Sequence, residues 1–301
     1  MRIAISGGTG FIGGHLIAHF KKRGDELILI SRSASGHAYA GVQTVTWSEI
    51  EHSPRYLEGI DAWINLAGST INQRWSETAK RQILSSRLKT TAAVASALKA
   101  LQNKPPVVVN ASAMAIYGTS ETHTYDEFSP AHADDFLAEV VKEWEEAADR
   151  IPAERIVKIR TGLVLGTDGG AFPKMALPFK FGAGGRIGSG SQWMSWIHIA
   201  DMVALIDACI RNDEISGPVN ATAPHPVRNR EFAQTLGGVL RRPHFMPVPA
   251  FALKLILGEL SMLLLEGQRV LPRKLLEHEF QFRYPTLEEA LLDLTGAERP
   301  A

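Results

Sequence analysis

The sequence predicts a parallel, doubly wound α/β sheet, and three observations carry that expectation. Short apolar runs alternate with longer helical patterns over the first two thirds of the chain. The runs are nearly continuous in apolar residues rather than alternating, as strands buried on both faces are. A cluster of glycines separates the first run from the first helical pattern. Ile3–Ser6, Leu27–Ser31, Trp63–Leu66, Val107–Asn110 and Ile156–Arg160 read as the strands. The helical pattern Phe11–Arg23 carries Leu16, Ile17 and Phe20 on one stripe and stops at Gly24. Ser76–Leu101 and Ala133–Arg150 follow the same spacing, and this strand–helix rhythm places a ligand at the carboxyl ends of the strands.

After Leu165 the character changes. Gly166–Gly190 holds eight glycines and two prolines and reads as loop around one short helix. Trp196–Arg211 returns to strand then helix, and the tail from Ala223 is richer in proline and helix signals. The expected plan is a nucleotide-binding domain over 1–165, completed by about 195–222, with a smaller substrate-side domain from 166–194 and 223–301.

Composition narrows the function classes. The 301 residues hold 32 Lys plus Arg against 32 Asp plus Glu, a balance that lacks the basic excess needed by phosphate-backbone binders. Nucleic acid is therefore not an expected partner. With 45% hydrophobic and 21% charged residues the chain is ordinary for a globular protein. Cys209 is the single cysteine, which excludes an internal disulfide framework and a cysteine-rich zinc site and fits a reducing compartment. Phe251–Gly267 is the most apolar late stretch, but Lys254 and Glu259 interrupt it, so it reads as one or two amphipathic helices in a core. The expectation is a cytoplasmic protein with no membrane partner. His15, His123 and His132 lack ligand spacing, and no metal is expected.

The strongest motif is Gly7-Gly8-Thr9-Gly10-Phe11-Ile12-Gly13, directly between a strand and a helix. Glycine is required there to turn tightly, to let backbone approach a pyrophosphate, and to let helix and sheet pack closely. The phosphate would meet free N–H groups at the positive end of the helix. No Asp or Glu lies between Leu27 and Trp47 to hold a ribose 2′-hydroxyl; Ser31-Arg32-Ser33 offers a cation flanked by hydroxyls, which suits a 2′-phosphate. NADP(H) is thus preferred over NAD.

Thr9–Gly13, Asn65-Leu66-Ala67-Gly68, Ala115-Ile116-Tyr117-Gly118 and Ser195–Asp201 together resemble the extended short-chain dehydrogenase/reductases. Arg74-Trp75 with Ser86-Arg87, Gly184-Gly185 leading to Trp196, and the tail Phe282–Leu291 are similar to an atypical sugar-epimerase-like branch, the family of SDR39U1. The resemblance covers essentially the whole chain. It implies NADP(H) in the crevice, with Ser31 and Arg32 at the 2′-phosphate end and Leu66, Ala67 and Gly68 beneath the adenine-ribose side. It also implies Arg87 reaching in from the third helix, Gln82 near it where a relative carries Glu, and Val164 at the nicotinamide end. Plain core packing is the other reading for Leu66, Ala67 and Val164, and a surface ion pair for Arg87.

Typical members use Tyr-x-x-x-Lys, whose spacing puts both groups on one helix face so that the lysine lowers the phenol pKa. The five tyrosines here are followed four residues on by Gln43, Ile60, Glu121, Ser129 and Glu288, so the pair is absent. Three substitutes stand out. Tyr117 could act as an acid within the pocket or simply pack. Ser112 lies one residue away from the usual serine position, and strand alternation decides whether it faces the site. Lys142 is either a remnant that contacts the nicotinamide ribose or a solvated charge. Trp75, Trp193, Met194 and Trp196 wall a substrate pocket or fill a core, and Arg160 binds an anionic substrate or forms a salt bridge. His198 and Asp201 read as a buried hydrogen-bonded residue and as a helix cap or ion-pair partner. Two functions follow: an oxidoreductase or epimerase of unusual mechanism acting on a sugar nucleotide or carbonyl compound, or a non-catalytic NADP(H) sensor or partner-binding protein. A homodimer through the 76–101 helix is the assembly the pattern allows.

Overall fold

The computed structural model describes residues 1–33 and 39–298; residues 34–38 of the expected first unit and the end of the second, 299–301, lie outside the described residues. The chain begins β1 (Arg2–Ser6), α1 (Phe11–Arg23), β2 (Glu26–Ser31), β3 (Gln43–Thr46), α2 (Trp47–His52) and β4 (Ala62–Asn65). It continues α3 (Glu77–Ala100), β5 (Val107–Ala113), β6 (Thr124–Tyr125), α4 (Phe136–Ala148) and β7 (Arg155–Thr161). Next come β8 (Leu163–Leu165), α5 (Phe172–Lys180), β9 (Trp193–Met194), β10 (Trp196–His198), α6 (Ile199–Arg211) and β11 (Gly217–Ala221). The tail adds β12 (Val227–Arg228), α7 (Asn229–Val239), α8 (Ala250–Leu257), α9 (Met262–Leu265), β13 (Arg269–Val270), α10 (Arg273–Glu277) and α11 (Leu287–Thr295).

Seven strands form one sheet in the order β11-β7-β5-β4-β1-β2-β3, every pair parallel. The order reverses between β1 and β4, which is the switch point where such sheets bind ligands. One face is covered by α1 and α6, whose Leu16, Ile17, Leu205 and Ile206 meet Ile5, Leu29 and Val109. The other is covered by α3 and α4 over Ala4, Ile28, Trp63 and Val108. The strand runs are mostly apolar because both of their faces are covered. The edge strand β3 has only Val45 buried, and its Gln-Thr-Val-Thr sequence carries no apolar run to mark it.

A separate core joins α5, α7 and α11 through Phe172, Phe179, Phe232, Leu236, Leu287 and Leu291. Two side chains at the start of α6 tie this unit to the sheet. His198 caps α6, its Nδ1 accepting from Ala200 N at 3.1 Å. Asp201 is buried but caps nothing and pairs with no cation; it accepts from the backbone N–H groups of Arg283 (2.8 Å) and Tyr284 (3.0 Å). Burial lowers the His198 imidazole from 6.5 to about 4 despite the Asp293 carboxylate 3.2 Å away. The unfolded chain therefore takes up a proton between those values that the folded chain refuses, so stability falls as pH drops through that window. His198→Asn keeps a capping oxygen and removes the proton; melting temperature measured from pH 7 to 4 should lose part of its acid slope in this variant.

One expectation is corrected. Phe251–Gly267 does form two short helices, α8 and α9, but not in a core: α8 has no buried residue. Periodicity marks a helix, and it does not say whether another element covers the apolar stripe.

Candidate cofactor and substrate site

The glycine turn between β1 and α1 shows why three of its residues have no side chain. Gly7 has φ +80°, and a Cβ there would lie 2.7 Å from the carbonyl carbon of Leu66. A Cβ on Gly13 would lie 2.5 Å from both Gly7 O and Gly8 Cα. Gly8 points the other way, into the core between Leu29 and Ile17. The working spacing is therefore Gly7, Gly10 and Gly13. Gly10 caps α1 with no side-chain bond, and the first turn has no acid. Thr9 precedes that cap, and Phe11 and Ile12 open the helix, so their N–H groups lie at the positive end of α1 without a side-chain acceptor. Phe11 also supports the loop after β8: Cβ atoms on Gly166 and Gly169 would come within 2.5 Å of its ring.

The β-sheet register sets the opposite wall. Ser6 pairs with Asn65 and Asn65 with Asn110 at the strand ends. Ser6 Oγ donates to Asn65 Oδ1 at 2.8 Å, and Asn65 Nδ2 donates to Asn110 Oδ1 at 2.7 Å. This buried network fixes the start of the Leu66-Ala67-Gly68 loop, and α3 holds the rest. Ser69 N donates to Ser86 Oγ (2.9 Å), Thr90 Oγ1 donates to Ala67 O (3.1 Å), and Arg87 Nη1 donates to Ser69 O (3.1 Å). Ser86 entered the sequence reading only beside Arg87, and Thr90 escaped it; their signal is two hydroxyl residues four apart on one helix face.

Arg87 lies with its guanidinium 5.0 Å over the Trp144 ring, and burial lowers its pKa to about 10. Among the described residues no carboxylate pairs with it; it donates to the carbonyls of Ser69 and Ile83. The surface ion pair weighed for it is not what it forms. Ser31 ends β2 half-buried, Arg32 follows it exposed, and Gln82 is exposed on α3. Val164 is buried in β8 beside β10.

Of the three substitute catalytic residues, Tyr117 and Ser112 meet in one buried network around Arg160 and Glu145, away from the cleft, and Lys142 stands apart. Tyr117 is fully buried rather than lining a pocket. Its hydroxyl donates to Asn220 Oδ1 and accepts from Arg160 Nη1, both at 2.8 Å, and burial pushes it up to about 12. Ser112 joins the same network from β5, donating to Glu145 Oε1 at 2.6 Å. Arg160 grips the same carboxylate with two bonds of 2.8 and 2.9 Å, so Arg160 is a structural ion pair and not an anion receptor. Lys142 is exposed on the outer face of α4. A one-residue shift on β5 and three residues on α4 decide these placements, which spacing alone could not.

A cleft of about 550 Å³ opens beside Trp75, Lys80, Phe136, Lys254, Glu259 and Met262. Trp75 and Phe136 meet edge to face at 5.4 Å, and Lys80 reaches Glu259 at 2.6 Å across the opening. Trp75 and Phe136 stand just before and at the start of the helices that follow β4 and β5, so the cleft shares the carboxyl end of the sheet with the glycine turn. Of the four candidate wall residues only Trp75 lines it. Trp196 is fully buried, bonded to His225 O at 3.1 Å. Trp193 lies between Arg228 (4.0 Å) and Arg269 (5.0 Å), and Met194 beside it in β9 is half-buried.

Residues 3–221 match the model of the NAD dependent epimerase/dehydratase family. The chain belongs to that family. A second match, over residues 248–294, is to a domain of unknown function, DUF1731. Among relatives of this epimerase-family chain, the epimerase family protein YfhF of Bacillus subtilis is 43% identical over 297 residues, 98% of each chain. The mouse epimerase family protein SDR39U1 is 41% identical and covers 98% of this chain and 100% of its own. The crystal structure of human SDR39U1 (isoform 2) with NADPH superposes with a TM-score of 0.91 at 40% identity, over 98% of this chain and 99% of that one. A nucleoside-diphosphate sugar epimerase from Corynebacterium glutamicum gives 0.76 at 28% identity, over 98% of this chain but 58% of that one. The resemblance read from the motifs and the predicted sheet both hold. Among the described residues no helix is long and apolar enough to cross a membrane.

Proposed function

We infer that this epimerase-family chain is an NADP(H)-dependent oxidoreductase that supplies the cofactor crevice and a substrate cleft, but no tyrosine proton relay. The carrying observation is the half-buried Arg87 guanidinium, with no carboxylate partner among the described residues, together with the N-terminus of α1, which has no side-chain cap. Both are groups that an anionic dinucleotide would satisfy. The human relative solved with NADPH supports the same reading. On it, Gly7, Thr9, Gly10, Phe11, Ile12 and Gly13 cradle the pyrophosphate, Ser31 and Arg32 take the 2′-phosphate, and Leu66, Ala67 and Gly68 carry the adenine-ribose side. Arg87 and Gln82 approach from α3, and Val164 lines the far end. NADP(H) when bound supplies or accepts a hydride.

What the chain adds is position and exclusion of water. Ala113 stands four residues before Tyr117, where the family's serine is expected, and Leu137 and Val141 occupy one of the registers where the tyrosine and lysine belong. Leu137 and Val141 are buried and apolar. These side chains can shape a dry wall but cannot move a proton, so the substrate or solvent must. The cleft at the same end of the sheet favours turnover of a carbonyl compound or sugar nucleotide. The apolar wall favours the second reading, an NADP(H) sensor. The division into 1–165 with 195–222, and 166–194 with 223–301, is supported by the separate α5–α7–α11 core.

Calorimetric titration tests the cofactor assignment. Micromolar NADPH binding with NADH at least tenfold weaker is expected, and Arg32→Ala should erase most of that difference, since a charge-assisted contact contributes roughly 1.5–3 kcal/mol. Equal affinity for both nucleotides in the unaltered chain would overturn it. NADPH oxidation against a panel of carbonyl compounds and nucleotide sugars separates the two readings: turnover rules out the sensor.

A further inference from the structure

We propose that the face formed by α5, α8 and the paired stretches 184–188 and 246–248 is a docking surface for an anionic phospholipid bilayer. Phe251, Leu255 and Ile256 on α8 are 76%, 85% and 75% exposed, and Phe181, Phe245 and Met246 stand out beside them. The two stretches are zipped together: Met246 N donates to Gly184 O at 3.1 Å, Val248 N to Arg186 O at 2.9 Å, and Gly188 N to Val248 O at 2.9 Å. A Cβ on Gly185 would lie 2.0 Å from Met246 O, so this contact admits only glycine. The aromatic and aliphatic side chains thus belong to one built surface and not to two loose segments. Exposed apolar clusters of this kind mark interaction sites.

Charge identifies the occupant. The chain as a whole is neutral, yet residues 172–188 carry Lys174, Lys180 and Arg186, residues 241–257 carry Arg241, Arg242 and Lys254, and neither stretch contains an acid. All six are exposed, and among the described residues none is in an ion pair. A second copy docked by two-fold symmetry would set this cationic face against itself. An anionic bilayer offers apolar depth for Phe251 and Leu255 and lipid phosphates for the cations at once. The absence of a membrane partner expected from the sequence rested on the lack of a span, and surface docking needs none.

The test is sedimentation of the full chain with vesicles of phosphatidylglycerol and phosphatidylcholine, against vesicles of phosphatidylcholine alone. Partition onto the anionic vesicles at low salt is expected, weakening as salt rises. Each basic residue near the surface contributes about fivefold, so Arg241→Ala with Arg242→Ala should weaken partition roughly 30-fold. Phe251→Ser with Leu255→Ser should weaken it by on the order of tenfold or more, while Lys99→Ala with Lys104→Ala, exposed where the chain runs from α3 into β5, leaves it unchanged. All three variants change exposed side chains, and unchanged melting temperatures certify their folds. Failure of the unaltered chain to partition overturns the proposal, as does partition insensitive to both patch variants. A dimer in sedimentation that Leu255→Asp converts to monomer, without vesicle binding, assigns the face to a second copy instead.

Discussion

Gly13→Ala should abolish useful NADPH binding, with a loss of at least a hundredfold, whereas Gly14→Ala one residue later should bind normally. The difference lies in what each new methyl group meets. At Gly13 it would stand 2.5 Å from Gly7 O and Gly8 Cα, backbone atoms of the turn itself. Neither can swing aside, so α1 must lift away from β1 and the N–H groups of its first turn must leave their positions. Overpacking of this kind costs about 1–3 kcal/mol in stability, and a hundredfold in affinity is about 2.7 kcal/mol. At Gly14 the nearest atom is Tyr39 Oη at 3.5 Å, an ordinary contact. Alanine there should raise stability by about 0.4–1 kcal/mol, because the unfolded chain loses freedom and the helix gains a better former. Parallel titrations and melts of the two variants check both halves. Normal NADPH binding by Gly13→Ala would show that the turn does not cradle the cofactor.

Glu145→Ala should cost about 3–5 kcal/mol of folding stability, among the largest single effects in the chain. It removes the acceptor of two Arg160 bonds and one Ser112 bond and leaves a buried guanidinium unpaired. Burial opposes the Glu145 charge, but Arg160 outweighs it and holds the carboxyl below its usual range. The sign follows: this stabilisation is fully present above the ordinary carboxylate value of 4.5 and is lost as pH falls through the lowered folded value. Chemical denaturation at pH 7 should show the deficit. Replacing both partners, Glu145→Leu with Arg160→Met, should recover much of it, because no unpaired charge remains. A double variant as unstable as Glu145→Ala would mean that the pair holds the fold by something other than charge compensation.

These two experiments probe features that differ in how far the sequence reveals them. The glycine turn is legible because its constraint is local: four glycines within seven residues, between a strand and a helix. The central strands are legible for the same kind of reason, since burial on both faces leaves an apolar run. Glu145 and Arg160 lie on different elements, and their pairing depends on how α4 lies over β7. Ser112 turned on the parity of one strand residue. The spacing of Phe251, Leu255 and Ile256 gives a helix, but whether that helix is covered depends on elements far away in the chain. The sequence therefore spoke most plainly where a residue answers to its neighbours in the chain, and least where it answers to neighbours brought by folding.

The Asp201 carboxylate has a consequence for how the molecule is made. The last strand of the central sheet ends at Ala221, so all seven strands have been synthesised some 60 residues before Arg283 and Tyr284. Asn220 likewise waits for Leu271 O, and Ser195 for Gln268 O and Val270 N. A chain emerging from the ribosome thus holds every strand of its sheet while the entrance of α6 still lacks the partners that come from the tail. Asp201 keeps water as its partner until the tail arrives, and only then does the seam dry. The polar groups at that seam thus find their protein partners only in a segment made after the whole sheet.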